Sequence, residues 1–280
     1  MAELISQQVT STKTTQQCSD LSDEERIAKD LAYFASDEAH AYLFEKVKYY
    51  NSVPGDLKYY DCPKCLNKGV IAYVTDDYSE SSKVCSCMKI RNCYQAMANS
   101  GITQEAIERM TFDSFKESEH EWQTRLKHTA VRYAESDLSK WLLLSGQSGC
   151  GKTHLCTAVS KWLMENGRQV KYVLWHDAVR KLAGNKYNVE VYDKYMDGLR
   201  NADVLYIDDM FKSEKTEKGI AFEIINARYI SRKPTIISTE LSLSDIEIID
   251  PAISSRIYEL SSGFIAQVKA DSSRNYRTGN

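Results

Sequence analysis

The sequence predicts an α/β protein, a parallel sheet carrying a phosphate-binding loop, with a smaller helical and cysteine-bearing module ahead of it. Three observations lead there. Gly146-Gln147-Ser148-Gly149-Cys150-Gly151-Lys152-Thr153 is a complete phosphate-binding loop. It stands between the apolar run 141–144, suited to a buried parallel strand, and Leu155, Ala158, Val159, Trp162 and Leu163 at helical spacing. Apolar runs at 170–175, 204–207 and 235–238 then recur with helical stretches between them, the alternation a parallel sheet requires.

The chain of 280 residues has room for one full α/β domain and something smaller. Residues 1–20, rich in Ser, Thr and Gln, hold too little apolar surface to order themselves and are expected to form a flexible arm. Residues 21–100 are assigned to a helical and zinc-binding module. Ser22 with Glu25 has the capping-box pattern, and Ile27, Leu31 and Phe34, then Leu43, Phe44, Val47 and Tyr50, predict two amphipathic helices that stop at Pro54-Gly55. A basic helix over 88–99 leads out of the module, residues 101–115 connect it to the nucleotide domain of 101–280, and a helix over about 119–136 precedes the first strand. Gly167 ends the helix behind the phosphate loop.

Cys62 and Cys65 are separated by two residues, Cys85 and Cys87 by one, and a β-hairpin pattern fills the interval. That spacing is close to a zinc ribbon, in which four thiolates on Zn²⁺ take the place of a hydrophobic core. The shortened second pair leaves Cys93 as an alternative ligand to Cys85 or Cys87. Four sulfurs with no open position indicate a structural metal site.

A net charge of −3 gives no global attraction to nucleic acid, so any contact with a phosphate backbone must be local. The apolar runs are far shorter than the roughly 18 residues a membrane span needs, and residues 1–17 have no apolar signal core. The expectation is a soluble cytoplasmic protein with no membrane partner.

In the loop, the backbone amides of residues 146–151 would converge on a polyphosphate beside the positive end of the following helix. Lys152 would neutralise the β- and γ-phosphates of ATP, and Thr153 would ligate Mg²⁺. Val204 to Ile207 bury a strand whose C-terminal end carries Asp208, expected to hold Mg²⁺, and Asp209, expected to orient the attacking water. An aspartate reaches less far than a glutamate, so hydrolysis is expected to be slow.

Gly151-Lys152-Thr153-His154-Leu155, together with Asp208-Asp209 and Ile237-Ser238-Thr239-Glu240, resembles the AAA+ ATPases of the DnaC/DnaI helicase-loader group. The resemblance runs from about residue 101 to the C-terminus. The cysteine module is similar to the zinc-containing N-terminal domain of the DnaI-like and phage-encoded members. It implies an AAA+ P-loop NTPase fold with a reduced or absent lid, and ATP, Mg²⁺ and Zn²⁺ as cofactors. His154 joins the loop residues in binding nucleotide, and Met110-Thr111-Phe112-Asp113-Ser114-Phe115 resembles the segment that lies near the adenine. Glu240, or Thr239 beside it, occupies the sensor position facing the γ-phosphate, and Arg256 matches the arginine finger that completes a neighbouring subunit's site. Arg274 and Arg277 resemble the terminal basic region, either as nucleotide sensors or as solvated charges.

The resemblance further implies an ATP-regulated loader whose partners are a replicative hexameric helicase, single-stranded DNA and further copies of the chain. Phe211, Lys212, Lys215 and Lys218 combine an aromatic with cations and form either a local site for single-stranded DNA or an ordinary basic loop. An IstB-type transposition ATPase shares the Gly-Lys-Thr-His-Leu core but usually lacks the cysteines. A nonhydrolysing nucleotide-switched adaptor stays open because of Asp209 and Glu240. A DnaA-type initiator is disfavoured, since too few residues follow Arg256 for a lid plus a duplex-reading helix-turn-helix.

Overall fold

The computed structural model describes residues 27–29, 32–33, 36–117, 120–212 and 218–269. The arm, the Ser22/Glu25 capping pattern, Leu31, Phe34, Lys215, Arg274 and Arg277 lie outside them. The chain divides into two compact units, Met1–Ser86 and Cys87–Asn280, with the cut inside the run Cys85-Ser86-Cys87.

In the first unit α1 (Asp37–Ser52) begins at Ser36, whose side chain accepts from the Ala39 amide at 3.2 Å. It lies against a hairpin of β1 (Val70–Val74) and β2 (Glu80–Val84), antiparallel with Val70 opposite Val84. Asn51 clamps the two together: its Nδ2 donates to the Ala72 carbonyl at 2.8 Å and its Oδ1 accepts from the Ala72 amide at 3.1 Å. The expected apolar face is narrower than its residues suggest, with Val47 covered and Leu43 partly covered. Ala39 and Val47 are the buried residues of α1, while Phe44 and Tyr50 are exposed. The hairpin is too narrow to cover a wide stripe, so only the side turned toward β1 is shielded.

The second unit opens with α2 (Cys87–Asn99), α3 (Gln104–Arg109) and α4 (Glu121–Ala134). Then β3 (Leu142–Gly146), α5 (Lys152–Glu165), β4 (Val170–Leu174), α6 (Trp175–Gly184), α7 (Val189–Arg200), β5 (Val204–Met210), α8 (Lys218–Ile230) and β6 (Thr235–Thr239) alternate as expected. After them come α9 (Leu243–Ile249), α10 (Pro251–Ser261) and β7 (Ile265–Val268), a strand the sequence reading did not assign. The sheet order is β4-β5-β6-β3-β7, and every pairing is parallel.

The register sets one apolar row across the sheet: Val173, Ile207, Ile237, Leu143 and Ile265 stand side by side on successive strands. The first four are buried, and each such side chain contributes about 1.5–3 kcal/mol of burial. The long strand-to-strand crossovers also demand a fastener, and Arg228 on α8 is one. Fully buried, it donates to the carbonyls of Leu199, Arg200, Ala202 and Pro234 and to the Thr235 hydroxyl, tying the end of α7 to the start of β6. Helix α2, expected to lead out of the cysteine module, packs against β4, where Cys93 Sγ accepts from the backbone N–H of Tyr172.

Candidate nucleotide site

Strand β3 enters the loop at Gly146 and α5 leaves it at Lys152. Gly146, Gly149 and Gly151 have φ of 140°, 81° and 94°, backbone that costs a glycine least. Space excludes side chains as well. A Cβ on Gly146 would lie 2.6 Å from the Val268 carbonyl oxygen, and one on Gly151 would lie 2.5 Å from the Phe115 ring.

The loop lines a cavity of about 550 Å³. Its lining combines apolar Ile102, Ala106, Met110 and Phe115 with polar Lys152, Thr153, Asp209, Lys212 and Glu240. An amphipathic ligand with a flat apolar head and an anionic tail fits that combination. His154 supports the wall: its Nε2 donates to the Thr111 carbonyl at 2.8 Å, and its ring meets Phe115 edge-on at 5.4 Å. Burial lowers the pKa of His154, which favours its neutral form.

Lys152 is buried, and its amine donates to the Gly146 and Gln147 carbonyls at 2.7 and 2.9 Å. Thr153 Oγ1 donates to Asp208 Oδ1 at 3.1 Å, so the two residues expected to hold Mg²⁺ are in contact. The hydroxyls of Tyr206, at 2.8 Å, and Ser238 reach the same oxygen, and the Tyr172 hydroxyl reaches Oδ2 at 3.3 Å. Burial pushes the Asp208 carboxyl up; the Ser238 hydroxyl opposes that shift and the neighbouring Asp209 charge adds to it. A buried carboxylate ringed by hydroxyls, next to a threonine at a helix start, is a donor set that fits a hard divalent cation.

Beyond Asp208 the β5–β6 register breaks, and Asp209 and Phe211 take positive φ of 54° and 64°. The kink turns Asp209 into the cavity, where Lys212 Nζ pairs with it at 2.7 Å and with Glu240 at 3.2 Å. Desolvation works against the Lys212 charge, but the two carboxylates win and raise its pKa. Of the two sensor candidates, Glu240 lines the cavity, whereas the Thr239 hydroxyl donates to the Met210 carbonyl at 2.7 Å. Phe211 packs edge-on against Trp175 at 5.7 Å, and Lys218 pairs with Asp250 at 3.2 Å. The described aromatic and cations of the anticipated DNA loop thus already have partners within the chain.

Arg256 sits on α10, away from the cavity lining. Its Nη1 donates to the Ala252 carbonyl at 2.9 Å, and its guanidinium lies 5.3 and 5.5 Å from the Phe222 and Tyr229 rings. Tyr172, Tyr206 and Ser238 were not assigned roles from sequence. Tyr206 was within reach, because residues two apart on a strand share a face and it stands two before Asp208.

The Sγ atoms of Cys62, Cys65, Cys85 and Cys87 all lie within 4.8 Å of one another, and all four residues are buried. Cys62 and Cys85 are 3.7 Å apart. Zn–S bonds of about 2.3 Å in a tetrahedron would set sulfurs about 3.8 Å apart, so the set fits zinc. The Gly69 amide donates to Cys65 Sγ at 3.3 Å, an orienting contact typical of metal thiolates. Cys93 stands apart from this group, on α2 facing the edge strand β4, with its thiol pushed up to about 12 by burial.

A buried parallel sheet, a glycine loop and an aspartate in contact with the loop threonine define a P-loop nucleotide-binding protein. The family model of the bacterial DnaA ATPase domain matches residues 107–266, and the chain belongs to that family, as an AAA+ ATPase of the DnaC/DnaI type. It is 27% identical over 273 residues to the uncharacterized protein YqaM of Bacillus subtilis (strain 168), covering 79% of this chain and 86% of that one. It is 27% identical over 153 residues to the replicative helicase loader DnaC of Buchnera aphidicola subsp. Acyrthosiphon pisum (strain APS), covering 52% of this chain and 61% of that one. The crystal structure of the DnaC helicase loader shares the fold with a TM-score of 0.51 at 23% identity, over 58% of this chain and 98% of that one. Among the described residues, no helix is long and apolar enough to cross a membrane.

Proposed function

We propose that this protein is an ATP-dependent loader that binds a replicative hexameric helicase and delivers it onto single-stranded DNA. The observation that carries the reading is the Thr153–Asp208 contact, beside a cavity lined both by the phosphate loop and by Ile102, Ala106, Met110 and Phe115. The relative named a replicative helicase loader supports the choice of partner.

In this reading the adenine takes the apolar residues and the phosphates the loop, with Lys152 turned from the loop carbonyls to the β- and γ-oxygens. Thr153 and Asp208 would hold Mg²⁺, which would supply charge neutralisation to the phosphates when bound. Asp209 orients the attacking water, and Glu240 faces the terminal phosphate. Arg256 acts on a neighbouring copy, and the rings of Phe222 and Tyr229 preset its direction. Zinc in the four-cysteine group holds the first unit in the shape that grips the helicase. Hydrolysis is slow and times helicase release.

The test is a pull-down of the replicative helicase by the full chain, followed by helicase delivery onto single-stranded DNA with ATP. Delivery is expected with the wild type and is expected to fail with Lys152→Ala. No helicase capture, or equal delivery by Lys152→Ala, would overturn the reading.

One observation favours a second reading, a nucleotide-switched adaptor without turnover: Lys212 engages Asp209 in a direct ion pair. ATP consumption no higher than that of Lys152→Ala, with and without single-stranded DNA, would select it.

A further inference from the structure

The polar lining of the cavity poses a charge problem. Asp209 and Glu240 line the cavity, and Asp208 lies behind it against Thr153, so three carboxylates stand near the loop that would receive a triphosphate tail. Lys152 is the cation of the loop itself, and a bound Mg²⁺ would offset only part of the tail. Glu240 follows the end of β6 and lines the same cavity, where its described ion-pair partner is Lys212. Like charges placed this close repel strongly in a partly buried site.

We propose that Lys212 is the counter-ion that lets this acidic pocket accept a γ-phosphate, and that it thereby sets preference for nucleoside triphosphate over diphosphate. The inference rests on the nucleotide reading above and deepens it. Three observations converge. Lys212 lines the cavity, its amine bridges Asp209 at 2.7 Å and Glu240 at 3.2 Å, and its backbone is presented by the positive-φ turn at Asp209 and Phe211. Phe211 anchors that turn against Trp175, so the lysine is held from below by packing rather than left on a free loop.

The chemistry separates the two nucleotides. The apolar lining fixes where the base sits, so a diphosphate ends short of Glu240 while a triphosphate reaches it. Removing the Lys212 charge leaves Asp209 and Glu240 uncompensated and penalises the longer tail. Removing the Glu240 charge as well relieves that penalty. A purely structural lysine gives neither the selectivity nor the rescue.

The experiment titrates the full chain with Mg²⁺ and either ADP or the non-hydrolysable ATP analogue AMP-PNP, read by calorimetry. Lys212→Met is expected to weaken AMP-PNP binding about tenfold and ADP binding by no more than about twofold. Lys212→Arg keeps the charge and is expected to stay within about threefold of wild type for both. Lys212→Met combined with Glu240→Gln is expected to recover most of the lost AMP-PNP affinity. Equal losses for the two nucleotides, no loss for either, or a loss that Glu240→Gln does not relieve would each overturn the proposal. The nucleotide reading fails separately, taking this one with it, when the wild type gives no saturable signal or Lys152→Ala binds as well as wild type.

Discussion

The two compact units hide very different amounts of apolar surface. In the sheet unit Trp141, Leu143, Leu205, Ile207, Ile224, Ile237, Ile257 and their neighbours form one contiguous buried cluster. Among the described residues of the first unit, the buried apolar side chains other than cysteine are Ala39 and Val47. Tyr42, Phe44, Tyr49, Tyr73 and Val84 are exposed there. The lesson is that the large unit meets its entropy cost with buried area, while the small one buries little beyond cysteines whose grouping fits a metal cross-link.

With zinc proposed in the four-cysteine group, the comparison is expected to break most visibly when metal is withdrawn. A strong chelator, or Cys62→Ser, is expected to abolish the fold of the first unit, since structural zinc contributes on the order of 10 kcal/mol in small modules. Circular dichroism with elemental analysis checks it: about one zinc per chain before treatment and a lost low-temperature transition after, with the sheet unit's transition in place. An unmoved first transition would show that α1 and the hairpin hold without metal.

The sheet unit has its own single point of failure in Arg228. Arg228→Met keeps the volume but leaves four carbonyls without their donor, and is expected to cost about 3 kcal/mol or more in denaturant unfolding, while zinc content stays constant. A smaller effect sharpens the contrast within the same unit. Asp250 caps α10 through the Ala252 and Ile253 amides at 2.8 and 3.2 Å, with Pro251 at the first turn. Asp250→Ala is expected to cost about 1 kcal/mol by the same measurement.

Much of this was legible in the residue order, where local chemistry and global fold agree. The loop glycines, the apolar runs that became β3 to β6, and the Cys62–Cys65 and Cys85–Cys87 pairs are short-range signals, and the structure brings each set together. Strand β7 escaped because its four residues, Ile265–Val268, show no period beyond what a loop also shows; its pairing with β3 is a long-range fact. The covered face of α1 is narrower than its period suggests, for a related reason. Periodicity says that a helix is amphipathic, but the width of the element beneath it decides which residues are covered. The choice between Thr239 and Glu240 turned on the bulge after Ile207, where Met210 pairs with Thr239, and no spacing rule reports a bulge. The partners of Phe211 and Lys212 were hidden likewise, since Trp175 and Glu240 are distant in sequence.

The contact between Cys93 and the Tyr172 amide reaches beyond the choice of zinc ligands. Outer strands of open sheets invite pairing by other chains, and here that border carries a helix whose sulfur already satisfies a backbone donor. Strand addition at Tyr172 of β4 is therefore hindered by α2, and β7 is left as the other outer strand of the sheet.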